Sequence, residues 1–324
     1  MWFSVGFLEL ERITWKSPCE MLQKISEYEA VHPVRNWTDL KRRVGPYRRC
    51  FIFKHSSMPG EPLVVLHTAL AGEISSSMNQ IVLSQSKMSG YQSGEKGSFQ
   101  DAEENPQDIK AAVFYSISST QKGLQGIELG NYLIKRVVGE LQNEFPHMKL
   151  FSSLSPIPLF RQWLFERLKI AKRGYNDIFS EEEIRKFQTH FKTSDIYDDL
   201  RRSIFTNSWL EDKTLADLLE TPLMRLCARY LYLEKRRGYA LDSVANFHLK
   251  NGAVMWRLNW NANLQPRGLT NSCGIMVNYR YFLEETEMRS TAYVEKQEIS
   301  ASEQIIKYSE EAKHLIRFVN SSKL

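Results

Sequence analysis

Two apolar runs, Cys50 to Phe53 and Leu63 to Leu70, stand on either side of the turn signal Pro59-Gly60 and predict adjacent strands of a sheet. Ahead of them, Ser17-Pro18-Cys19-Glu20 reads as a helix start, with Ser at the cap, Pro at the first helical position and Met21, Leu22 and Ile25 on one face. A second helix is predicted from Asn36 to Gly45. From Gln85 to Asp108 the chain is Ser, Gly, Gln, Glu and Lys with little to bury, which predicts a mobile surface loop, 85–108. Ala111 to Ile117 then reads as a buried strand, Ser118 to Gln125 as a glycine-containing loop, and Gly126 to Phe145 as a helix. In that helix Ile127, Leu133, Ile134, Val137, Val138 and Leu141 face inward. A strand from Met148 to Ser153 follows, then a helix carrying Phe160, Trp163, Leu164 and Leu168. The unit is strand, loop, helix, strand, helix.

Residues 180–237 read as a mostly helical insertion, opened by the capping box Ser180 to Glu183 and closed at Gly238. Val244 to Leu249 and Ala253 to Trp260 flank Asn251-Gly252, a short hairpin signal, so both are predicted as strands. Gly274 to Phe282 is a further strand, and Ser302 to Val319 closes the chain as an amphipathic helix. The pattern as a whole is α/β.

Composition narrows the class. The 324 residues are 42% hydrophobic and 25% charged, as in soluble globular proteins, and the run Leu63 to Leu70 is far shorter than the roughly 18 residues a membrane span needs. The net charge of +5 comes in short clusters such as Lys41-Arg42-Arg43 and Arg236-Arg237, without the long basic stripe or reading motif of a nucleic-acid binder. The four cysteines, Cys19, Cys50, Cys227 and Cys273, lack the close pairs of zinc or dithiol sites and read as reduced thiols. The apolar patch Trp2 to Leu8 has no basic region before it and Glu9 and Glu11 after it, which fits neither a secretory signal nor a transit peptide. Ser322-Lys323-Leu324 at the C-terminus is the peroxisomal address read by an import receptor.

No Gly-x-Ser-x-Gly elbow, Walker loop, dinucleotide glycine fingerprint or His-Glu-x-x-His helix occurs. What remains is the loop from Gln121 through Gln125, Gly126, Ile127, Glu128, Leu129, Gly130 and Asn131. Its glycines either let backbone amides approach a phosphate, such as the pyrophosphate of coenzyme A, or only permit a tight turn. Glu128 would repel a pyrophosphate and equally suits the first turn of a helix. Ser155 follows a strand end, at the edge where open α/β sheets bind ligands, and also precedes two prolines as a helix cap would. His248 lies in a predicted apolar strand, where an imidazole is either a hydrogen-bonded core group or a catalyst; His55 and His67 lean further toward the core.

At these segments the sequence resembles the malonyl-CoA decarboxylase family. The matching stretches are HSSMPGEPLVVLH (His55 to His67), FYSISSTQKGLQGIELGNYLIKRVVGEL (Phe114 to Leu141), FSSLSPIP (Phe151 to Pro158), VANFHLKNGAVMWRLNW (Val244 to Trp260) and YRYFLEE (Tyr279 to Glu285). They cover the chain as a catalytic domain, 1–324, and omit the family's N-terminal helical domain, so the chain reads as a catalytic domain, a short isoform or an incomplete gene model. The resemblance implies a GNAT-type acetyltransferase-like mixed sheet with flanking helices and a helical insertion. It implies malonyl-CoA as substrate, converted to acetyl-CoA and carbon dioxide, a reaction that controls malonyl-CoA levels in fatty acid metabolism, with no cofactor and no metal. The acetyltransferase loop pattern would put Gly123 and Glu128 where a polar residue and a glycine belong, which disfavours acetyl transfer, the first alternative. The second alternative is a silent acyl-CoA-binding subunit.

The family's site residues carry over as follows. Gln125 to Asn131 contact the substrate, Ser155 and His248 form the catalytic pair, and Lys24 is needed for activity, either directly or through the fold. Beside this carry-over, Glu128 is a candidate to position His248 or Ser155. His248, whose pKa can lie near neutrality, is expected to donate the proton and Ser155 to orient the departing carboxylate; the opposite partition, with Ser155 as a proton acceptor, is the alternative, and the sequence does not separate the two. The family also implies a homotetramer for the full-length protein, Cys19 as the candidate interchain disulfide, and mitochondrial and cytoplasmic pools beside the peroxisomal one.

Overall fold

A computed structural model describes residues 5–88, 104–124 and 129–321. The predicted contacts at Gln125 to Glu128, the segment 89–103 and the tail Ser322 to Leu324 lie outside these residues. The chain divides into two compact units, residues 1–155 and 156–324.

The first unit is a mixed sheet with helices on both faces. Its elements are β1 (Leu8–Ile13), α1 (Cys19–Tyr28), α2 (Trp37–Arg43), β2 (Arg48–His55), β3 (Val64–Ala71), α3 (Met78–Met88), β4 (Ala111–Ser119), α4 (Leu129–Glu144) and β5 (Leu150–Ser153). The strands lie in sequence order, antiparallel from β1 to β4, with β5 parallel to β4. Every residue of β3 is buried, which is why its sequence shows a continuous apolar run rather than alternation. Met21, Leu22 and Ile25 of α1 and Leu40 of α2 pack on Cys50, Ile52 and Val65. Leu133, Val137 and Leu141 of α4 are fully buried on the sheet, and Tyr132 of the same helix meets Phe53.

Two expectations shift at their edges. Ser17 does not cap α1: its Oγ accepts the Thr14 amide at 3.1 Å within a closed turn, so the helix begins at Cys19 behind Pro18. The segment 85–108 is not loop throughout. α3 runs to Met88, and Glu104 to Asp108 are fastened because the Glu104 carboxylate binds the guanidinium of the buried Arg49 at 2.7 Å through both oxygens.

The second unit contains α5 (Phe160–Lys172), α6 (Glu181–Phe191), α7 (Ile196–Thr206), α8 (Lys213–Ala228), a π-type turn (Arg229–Leu233), β6 (Lys235–Arg236), β7 (Tyr239–Ala240), α9 (Ser243–Lys250), β8 (Val254–Asn259), α10 (Pro266–Ser272), β9 (Met276–Tyr281), α11 (Thr286–Lys296) and α12 (Glu303–Ser321). The capping box is reciprocal: Ser180 N donates to Glu183 at 2.9 Å and Glu183 N to Ser180 Oγ at 3.2 Å. Gly238 closes a β6–β7 hairpin rather than a helix, with Arg237 at φ 53° and Gly238 at φ 87°, the pair of left-handed residues that a two-residue hairpin turn requires.

The largest correction concerns residues 244–249. They form helix α9, not a strand. The Asp242 carboxylate accepts the Ala245 amide at 2.8 Å as an N-cap, and Ala245, His248 and Leu249 are buried at a three-and-four spacing. Asn251-Gly252 is therefore a helix-to-strand turn, with Gly252 at φ 74°. β8 and β9 pair with each other, antiparallel, as the two apolar strands expected there.

Candidate active site

In the first unit, Ser155 stands just beyond β5. Its backbone is led there by β5, whose register with β4 continues to a bond from Leu154 N to Phe114 O of 2.9 Å. Ser155 is buried, and its Oγ donates to Ser153 Oγ at 2.8 Å, while Ser152 Oγ donates to the Ser153 carbonyl at 3.1 Å. The capping explanation for Ser155 fails, because the next helix starts at Phe160 with Leu159 before it. At the C-terminal end of a parallel strand the buried hydroxyls of Ser153 and Ser155 thus meet, a place and a chemistry suited to holding an anion or a carbonyl.

Of the loop residues, Leu129 and Gly130 begin α4 and are buried, and Gln121 Nε2 donates to Thr120 Oγ1 at 3.2 Å. A Cβ on Gly123 would meet nothing within 4 Å, so close packing does not explain that glycine. The backbone of Asn131 lies in the first turn of α4.

Lys24 lies on α1 and is engaged by carboxylates at 2.8 Å (Glu20) and 2.9 Å (Glu61), and it donates to the Gly60 carbonyl at 3.0 Å. Those hydrogen bonds raise its pKa, keeping it a cation. Lys24 thus ties α1 to the turn between β2 and β3, which is where the Pro59-Gly60 signal falls. Cys19, the first residue of α1, is an exposed free thiol. Cys50, Cys227 and Cys273 are buried, and burial pushes their pKa values up, so they stay as thiols.

His67 and His55 are core histidines. His55 Nδ1 accepts the Ser57 amide at 3.0 Å. His67 is fully buried and stacked on Tyr115 at 5.9 Å, and Tyr115 occupies the bulge where the β3–β4 register shifts. The neighbouring Glu29 carboxylate accepts the Val31 and His32 amides at 2.7 and 2.8 Å and the Ser116 hydroxyl at 2.7 Å, which hold it ionised. Its oxygen lies 3.4 Å from His67 Nε2, yet burial outweighs this attraction and drives the imidazole pKa down to about 4.

In the second unit, α9 buries His248 and β9 brings it a polar contact. Its Nδ1 lies 2.7 Å from the Tyr281 hydroxyl. Its ring stacks on Tyr279 at 4.4 Å and 18°, with Phe247 edge-on at 5.1 Å. Burial lowers the imidazole pKa to about 3, so the expected value near neutrality is corrected: the resting group is neutral. Burial also raises the Tyr281 pKa, so that hydroxyl keeps its proton, and the direction of its hydrogen bond with Nδ1 is the one the imidazole tautomer sets.

Tyr279 and Tyr281 carried no role in the sequence reading. Their i, i+2 spacing on a strand is the signal that sends both side chains to one face. Asp242 carried none either, because it stands two residues before a segment whose pattern predicts a strand, which needs no helix cap. Among the described residues, no group of three or more His, Cys, Asp or Glu side chains is placed to hold a metal ion, and no helix is long and apolar enough to cross a membrane.

Comparison with known proteins fits this arrangement. A profile of the malonyl-CoA decarboxylase C-terminal domain matches residues 6–317. The chain is 55% identical over 307 residues to the protein named malonyl-CoA decarboxylase, mitochondrial, of Rattus norvegicus, covering 94% of this chain and 60% of that one. Its identity to the Mus musculus protein of the same name is 53% over 325 residues, covering 100% of this chain and 62% of that one. The chain thus spans about three fifths of the length of these relatives. The crystal structure of malonyl-CoA decarboxylase from Agrobacterium vitis superimposes with a TM-score of 0.78 at 35% identity, over 95% of this chain and 68% of that one. With the profile covering nearly its whole length, the chain belongs to the malonyl-CoA decarboxylase family.

Proposed function

We propose that the chain decarboxylates malonyl-CoA to acetyl-CoA and carbon dioxide, and so sets the malonyl-CoA level that balances fatty acid synthesis against oxidation. The observation that carries this reading is the buried, neutral His248, oriented by Tyr281 through Nδ1, in a chain of this family.

When the malonyl carboxylate leaves as carbon dioxide, its bonding electron pair passes into the α-carbon and the thioester carbonyl, itself an electron sink, so the chemistry asks for no cofactor. The protein must hold the carboxylate out of the carbonyl plane, support the enolate oxygen and return one proton to the α-carbon. Proton delivery falls to His248. A malonyl carboxylate beside the imidazole supplies negative charge, raises the imidazole pKa and draws in a proton. Departure of neutral carbon dioxide leaves that charge on the enolate, and the imidazolium neutralises it by protonating carbon. Ser155 orients the carboxylate, Gln125 to Asn131 contact malonyl-CoA, Glu128 positions His248 or Ser155, and Lys24 acts through the fold. The altered loop pattern at Gly123 and Glu128 stands against acetyl transfer.

The reading extends to a homotetramer, with Cys19 available for a disulfide between chains. It also extends to import into peroxisomes through Ser322-Lys323-Leu324 beside mitochondrial and cytoplasmic pools; the rat and mouse relatives are named mitochondrial. The test is release of labelled carbon dioxide from carboxyl-labelled malonyl-CoA, by the parent and by folded His248→Ala and Ser155→Ala variants. Loss of about a hundredfold or more in each variant is expected. No release with intact coenzyme A binding would replace this reading with a silent acyl-CoA binder, and label transfer from acetyl-CoA to an amine with an acetyltransferase.

A further inference from the structure

Helix α9 has eight residues, too few to hold itself in place, and its position is set from outside. At its C-terminal end Ser290 Oγ donates to the Lys250 carbonyl, and on its side Tyr293 Oη donates to Asn246 at 2.8 Å while accepting the Ala240 amide at 2.9 Å. At its start stands Asp242, 2% exposed, which accepts the Ala245 and Val244 amides and the hydroxyl of Tyr230 from the π-type turn. Burial pushes its carboxyl pKa up to about 6. Serine or asparagine would cap the helix as well without burying an ionisable group, so stability alone does not call for aspartate here.

We propose that Asp242 is a positioning residue of the reaction: through the α9 cap on one side and the Tyr230 hydroxyl on the other, it fixes the depth and rotation at which α9 presents His248 to substrate. The inference rests on the role given to His248 above. It touches no reacting atom. Its effect is on the stacking of His248 over Tyr279 and on the contact between Nδ1 and Tyr281.

The test uses the full chain with histidine ring labels, reading the His248 Cε1 proton by NMR, assigned by its absence in His248→Gln. Steady-state decarboxylation kinetics are measured in parallel. In Asp242→Ala the resonance is expected to leave its ring-stacked position, and kcat to fall about ten- to a hundredfold with KM within about twofold. Asp242→Asn, which keeps an N-cap acceptor, is expected to retain the resonance and kcat within about threefold. An unmoved resonance in Asp242→Ala, or equal losses in kcat and in the resonance for Ala and Asn, would overturn the proposal. Should the Ala variant not fold, Tyr230→Phe decides: a moved resonance supports positioning, and an unmoved one overturns it. The resonance reads positioning whether or not malonyl-CoA is the substrate, so failure of the decarboxylase reading is told apart by absent turnover in the parent.

Discussion

Replacing His248 by glutamine should flatten the acid limb of the stability curve, and the size of the effect follows from the burial of one imidazole. In the folded chain His248 has a pKa of about 3, against 6.5 for an ordinary imidazole. The unfolded chain therefore takes up a proton near pH 6.5 that the folded chain refuses until about pH 3. Because the folded pKa is depressed, the neutral imidazole's contribution is complete above pH 6.5 and is lost as the pH falls through that window. Each pH unit lost costs one proton's linkage, about 1.4 kcal/mol. Asp242 acts with the opposite sign. Its folded pKa of about 6 lies above the ordinary 3.8, so the folded chain holds a proton there that the unfolded chain has released, and stability from this group falls as the pH rises from 3.8 to 6.

The measurement is urea unfolding at several pH values between 4.5 and 6.3, followed by tryptophan fluorescence; Trp209 is buried in the same unit as His248. The free energy of the parent minus that of His248→Gln should change by roughly 1.4 kcal/mol per pH unit, decreasing toward acid. Parent minus Asp242→Asn should run the other way with a similar slope. Taking differences cancels every group common to both proteins, including His67 with its pKa of about 4. A parent–His248→Gln difference that is independent of pH would refute the claim that the resting imidazole is neutral, and with it the need for substrate to bring in the proton.

Three further outcomes follow from single contacts. Tyr281→Phe removes the hydroxyl 2.7 Å from His248 Nδ1 and should lower kcat about tenfold or more with KM little changed, measured as carbon dioxide release. Gly252→Ala puts a Cβ 1.9 Å from the Thr286 carbonyl oxygen at φ 74°, so it should destabilise the chain by about 2 kcal/mol or more in urea titrations. Lys24→Met should lower the melting temperature and leave kcat per folded molecule unchanged, since the ammonium's partners are Glu20, Glu61 and Gly60; a fall in kcat at unchanged stability would give Lys24 a part in the chemistry.

Where sequence reading succeeded and where it failed has one physical explanation. Strand β3, the inward row of α4 and the capping box at Ser180 declare themselves because their determinants lie within a few residues of one another: a continuous apolar run, a spacing of three and four, a Ser and a Glu three apart. Helix α9 misled because Val244 to Leu249 is short and apolar on both periods, and Asn-Gly is a turn signal in either setting. What decides it is Asp242, whose cap is local but whose burial and bond to Tyr230 depend on a residue twelve positions earlier. The same holds for the chemistry. That His248 could act was legible from a family resemblance, but that it rests neutral depends on stacking with Tyr279 and burial from elements distant in sequence. A pKa is a property of packing, so no motif reports it. The identity of a candidate catalytic residue is therefore readable earlier than its protonation state, and under the proposed mechanism that state sets how the reaction begins, with a substrate that carries its own counter-charge to the imidazole.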